Sequence, residues 1–101
     1  MSEKKKVKGP KYLMGIFDII PGDNATSNED VMEKCKAAVK HLDANLVDFK
    51  VEDVAYGAQK IVARFMFPDN IVGGTSPIED EMMKLEGIVD RAECTMTTIV
   101  S

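Results

Sequence analysis

The chain has 101 residues, 45% hydrophobic and 30% charged, which suits one compact domain with a single core and no need of metal or disulfide staples. Its formal net charge of −4 is unevenly spread. Lys4, Lys5, Lys6, Lys8 and Lys11 crowd the start, and from Tyr12 onward the body is acidic, which argues against nucleic acid as the main ligand. Cys35 and Cys94 belong to no CxxC pair and sit in apolar-patterned segments, so they read as buried free thiols in a reducing compartment. No run approaches the roughly 18 apolar residues of a bilayer span, and no apolar signal region follows the lysines, so the expected setting is cytoplasmic.

Residues 1–11 read as a short, solvated, disordered basic tail, with no interleaved aromatics for base stacking and no adjoining amphipathic helix for a membrane surface. Residues 12–101 form the domain. Tyr12 to Ile20 is rich in β-formers and stops at Pro21-Gly22-Asp23-Asn24, a strand followed by a turn. Ser27-Asn28-Glu29-Asp30 offers an N-cap and first-turn acids. Val31, Cys35, Ala38, Val39 and Leu42 then recur on one face, predicting an amphipathic helix of about four turns that ends near Asn45. Phe49, Val51 and Val54 mark a second strand, Tyr56-Gly57 a bend, and Ile61, Val62, Phe65 and Phe67 a third. After Pro68-Asp69-Asn70 and Gly73-Gly74-Thr75, the run Ser76-Pro77-Ile78-Glu79 combines an N-cap serine, a proline at the first helical position and a capping-box glutamate. Ile78, Met82 and Leu85 make that helix's buried stripe, Gly87 its stop, and Ala92, Cys94, Met96, Thr98 and Val100 alternate along a last strand. The order β-α-β-β-α-β predicts an α+β, ferredoxin-like sandwich: an antiparallel sheet with two helices on one face.

Alternation assigns Ile61, Ala63, Phe65 and Phe67 to the helix-covered side of the third strand. Val62, Arg64 and Met66 fall on the opposite side, whose partly apolar character suits a protein contact. Covalent chemistry finds little support. His41, the only histidine, sits near the end of the first helix, where a cation favours the dipole, and no serine or cysteine has an activating partner at a recognisable spacing. Glu79, Asp80 and Glu81 suit helix-dipole complementarity better than a metal site. Gly73-Gly74-Thr75 lacks the lysine and spacing of a P-loop and reads as a turn. No cofactor, metal or catalytic set is expected.

Several stretches together resemble one family. They are Asp18-Ile19-Ile20-Pro21, the bend Ala55-Tyr56-Gly57 followed by Lys60-Ile61, the acidic second helix, Gly73-Gly74-Thr75 and Leu85-Glu86-Gly87-Ile88. From about Tyr12 to Val100 the chain resembles the guanine-nucleotide exchange domain of translation elongation factor 1-beta, in the short form of archaeal members. The resemblance implies a factor that binds elongation factor 1-alpha and speeds release of GDP, with room for further elongation-complex subunits. It also implies that Tyr56, flanked by Ala55 and Gly57 and followed by Lys60, enters a pocket on the partner. The family's basic residue near the C-terminus falls here at Thr98 or Ile99, and no basic residue follows Arg91, so Lys60 and Arg64 are the nearest substitutes. Two other classes fit the same elements: a ferredoxin-like interaction module without exchange activity, and a small-ligand regulatory domain of similar topology.

Overall fold

The structure is a computed structural model that describes residues 11–54 and 57–100. Its elements are β1 (Tyr12–Pro21), α1 (Asn28–Ala38), β2 (Asn45–Asp53), β3 (Gln59–Pro68), α2 (Ser76–Met83) and β4 (Val89–Ile99). The strands form one sheet in the order β2-β3-β1-β4, with every pairing antiparallel. This is the expected ferredoxin-like α+β arrangement.

Alternation along β1 and β3 builds the core. Phe17 and Ile19 from β1 and Ile61, Ala63, Phe65 and Phe67 from β3 are all essentially without solvent exposure, as are Val31, Met32 and Cys35 of α1 and Ile78 and Met82 of α2. Phe17 meets Phe65 edge-on, ring centres 5.7 Å apart at 87°, and Phe67 at 6.4 Å. Each such ring contributes about 2–3 kcal/mol by leaving water. Burying them on one side fixes register, because a one-residue slip of β3 would turn all of them out. Gly15 lies beside this cluster: a Cβ there would stand 2.8 Å from a Phe67 ring carbon and 2.9 Å from one of Phe17.

The first helix departs from its expected length. Its start holds, with the Asp30 N–H donating to Ser27 Oγ at 3.0 Å, but α1 ends at Ala38, and a 3₁₀ turn over Lys40–Leu42 leads to Asp43 in the left-handed region at φ 62°. The reason is tertiary. Asn45 already pairs with Met66 in the sheet, so the helix must release the chain before it.

The second helix starts where expected but without the expected capping box. Thr75, not Ser76, precedes the first helical residue and makes no side-chain cap. The Glu79 carboxylate instead accepts the backbone N–H of Cys94 at 2.6 Å, tying α2 to β4. An amide on an edge strand offers a partner that the helix start would otherwise supply.

The last strand corrects the expected alternation as well. Ala92 and Cys94 lie opposite Ile19 and Phe17 on the helix-covered side, but Met96 pairs with Ile16 and Thr98 with Met14, on the open side. One extra residue, Thr95, sits at the register shift between Ile16 and Phe17 and exchanges the two faces of the strand beyond it.

Candidate functional site

The β2–β3 hairpin closes one end of the sheet. Asp53 pairs with Gln59 and accepts its side-chain amide at 3.0 Å, and the Val54 N–H donates to the Ala58 carbonyl at 2.8 Å. Gly57 has φ 76°, which only glycine adopts without strain, and a Cβ there would meet open space. The bend is therefore pinned at its base. Ala55 and Tyr56, the first two expected contact residues, lie outside the described residues.

Lys60 follows the hairpin on the open face of the sheet. Its Nζ donates to Asp18 Oδ2 of β1 at 3.0 Å, with both side chains only about a quarter exposed (27% and 26%). The hydrogen bond to Asp18, then the charge of Asp18, and beyond these the charge of Glu52, push the Lys60 ammonium above its usual range, so it stays a cation at any physiological pH. Asp18, Ile20, Lys60, Arg91 and Glu93 line a shallow cleft of about 170 Å³. This end of the open face carries both signs of charge, gathered from three strands.

The middle of the same face holds a larger cleft of about 360 Å³, lined by Ile16, Asp48, Phe49, Lys50, Val62 and Arg64. Arg64 grips Asp48 with both arms of its guanidinium, Nε to Oδ1 at 2.7 Å and a second bond to Oδ2. That fork raises the Arg64 pKa and lowers that of Asp48, in each case chiefly through the hydrogen bond. Val62, Arg64 and Met66 thus occupy the open side, as alternation along the third strand requires.

Thr98 and Ile99 sit elsewhere. They pair with Met14 and Leu13, whereas Ile61, next to Lys60, pairs with Ile19. Lys60, one residue before Ile61, is level with Ile20, so at about 3.3 Å per residue the levels of Lys60 and Thr98 are separated by about 20 Å along the strands. The fold brings Gly57 and Lys60 together and sets Thr98 and Ile99 at the other end. Sequence reasoning did not count Asp18 as a site residue. Asp18 falls on the side of β1 away from Phe17 and Ile19, and its pairing with Lys60 depends on a register that the strand alone does not state.

Among the described residues there is no group of three or more His, Cys, Asp and Glu side chains that could hold a metal. His41 faces solvent, its Nε2 3.9 Å from Glu81 Oε2. Burial pushes the Cys35 thiol up to about 12, so it is not a nucleophile in the folded protein. Among the described residues, no helix is long and apolar enough to cross a membrane.

An antiparallel ferredoxin-like sheet with its polar and ion-paired side chains on the open face, and a glycine-pinned hairpin at one end, defines a protein built to present surfaces. The profile of the EF-1 guanine nucleotide exchange domain matches residues 14–99, nearly the whole domain, and the chain belongs to that family. It is similar to a protein of Staphylothermus marinus named Elongation factor 1-beta, with 25% identity over 76 residues, covering 75% of this chain and 83% of the relative. Guanine nucleotide exchange in translation elongation is the function that follows from this membership.

Proposed function

We propose that this protein binds elongation factor 1-alpha in the cytoplasm and accelerates its release of GDP, forming and breaking no covalent bond. The match of residues 14–99 to the exchange-domain family carries this reading. The physical task is to bind the nucleotide-free GTPase more tightly than the GDP-bound form. Each tenfold gain in release rate requires about 1.4 kcal/mol of preferential stabilisation of the transition state. By linkage, GDP weakens binding of the exchange factor by the same factor as the exchange factor weakens GDP.

In this reading Tyr56 is the anchor, between Ala55 and Gly57 in sequence, and Lys60 follows on β3. Thr98 and Ile99 contribute from the far end of the sheet, so the partner is engaged over two separated areas. An aromatic anchor entering a pocket is the usual form of a binding hot spot. Beyond Arg91 the residues of β4 carry no basic side chain, so in this reading Thr98 and Ile99 contribute without a charge of their own. Lys60 and Arg64 are the nearest cations, each already held by a carboxylate.

The test is release of a fluorescent GDP analogue from elongation factor 1-alpha in the presence of this protein and of its Tyr56→Ala variant. The wild type accelerates release, and the variant, still folded by circular dichroism, loses at least about 2 kcal/mol of that acceleration, the size of a hot-spot truncation. A wild type without effect overturns the reading.

A further inference from the structure

The outer half of β4 owes its orientation to a built feature. Around the extra residue Thr95, three side-chain bonds stitch the bulge. Glu79 Oε2 of α2 accepts the Cys94 N–H at 2.6 Å, the Thr95 hydroxyl donates to the Ile16 carbonyl at 3.3 Å, and the Cys94 thiol donates to the Met96 carbonyl at 3.5 Å. Of the three, only the Glu79 bond comes from outside the paired strands, so it alone ties the bulge to the helix layer. A plain strand here would have placed Met96 and Thr98 beneath the sheet.

With the bulge, Met96 lies across from Ile16, and Thr98 from Met14, which pairs on its other side with Met66. The strand end is uncharged from Cys94 to Val100 and exposes large apolar side chains, Met96 at 56% on the open face beside Ile16, and Ile99 at 70% on the other side, opposite Leu13. Bulges of this kind re-aim side chains next to functional sites, and contiguous exposed apolar surface marks contact areas.

We propose that Glu79 is a positioning residue for nucleotide exchange: by holding the Cys94 amide it fixes the bulge that turns Met96 and Thr98 to the open face, toward the GTPase. This rests on the reading of elongation factor 1-alpha as partner. Glu79 itself touches no nucleotide and acts through β4. Its reach, not its charge, is what the role requires, since the bond needs an acceptor oxygen at the end of a side chain of this length.

Two substitutions separate reach from charge. Glu79→Gln keeps an acceptor at the same distance without the charge, and Glu79→Asp keeps the charge but falls one methylene short. GDP release is measured over a range of factor concentrations, alongside amide hydrogen exchange at Cys94. The expected result is E79Q within about twofold of wild type, and E79D reduced about tenfold in second-order efficiency with a faster-exchanging Cys94 amide. Deletion of Thr95, which removes the bulge, is expected to abolish the effect of the strand end and lower efficiency at least as far. Equal activity of E79D and wild type overturns the proposal, as does an equal loss in E79Q and E79D, or full activity after deletion of Thr95. Should E79D fail to fold, a loss in E79Q still overturns it. A wild type that does not exchange at all defeats the functional reading itself, an outcome distinct from the others.

Discussion

At the scale of single residues, the tolerances are set by how near each backbone position comes to its neighbours. Gly15 is the clearest case, because it lies on β1 with ordinary strand geometry and is needed for space, not for conformation. Phe67 and Phe17 close over it at distances a real Cβ does not reach, and both rings belong to a packed cluster that cannot retreat. Gly15→Ala is expected to lower stability by about 1–3 kcal/mol, the usual cost of overpacking, read as a drop in the urea midpoint with an unchanged slope. Gly57 is the contrasting case: its neighbourhood is open, and substitution there costs only the strain of a left-handed backbone. The core side of β3 was legible down to the residue from alternation alone. The Lys60 to Asp18 bond was not, because it joins side chains 42 residues apart.

Among the elements, local signals and tertiary demands can be compared directly. The Ser27 cap is local in both origin and effect, and it formed as its sequence implies. Ser27→Ala is expected to cost about 1 kcal/mol of unfolding free energy, measured by chemical denaturation, and Ser27→Asp to restore most of it. The Ser76 start carried an equally strong signal, yet its glutamate went to β4. A capping box has two partners within one turn, and either can be outcompeted by an amide brought in by the sheet. The junction of the β1–α1 and α2–β4 turns was likewise invisible in sequence. There the Gly22 N–H donates to the Ile88 carbonyl at 2.8 Å, and a Cβ on Gly22 would stand 2.5 Å from the Gly87 carbonyl oxygen.

For the molecule as a whole, charge decides how stability varies with pH. Asp30, Asp48 and Glu81 have lowered pKa values through hydrogen bonds to Lys34, Arg64 and Lys84 respectively. A carboxyl with a depressed folded pKa contributes its full stability above its ordinary value, 3.8 for Asp and 4.5 for Glu, and loses it as pH falls through the folded value. Lys60 has the opposite sign: raised by Asp18, it contributes fully below its ordinary 10.5 and loses that contribution as pH rises through the folded value. The urea midpoint is therefore expected to be level from about pH 5 to 9, to decline below about pH 4.5 and again above about pH 10.5. Because all these pairs lie at the surface, added salt should shrink both declines. A midpoint that rises on acidification would contradict the ion-pair assignment.

The sequence by itself determined the class of fold, the buried face of β3, the start of α1 and the family, because each rests on periodicity, turn chemistry or motif content carried by neighbouring residues. Tertiary structure alone decided where α1 stops, which partner Glu79 takes, which way the end of β4 faces and which carboxylate holds Lys60. Those outcomes depend on strand register and on close approach between distant segments, and one inserted residue in an edge strand is enough to reverse a face that alternation would assign with ease.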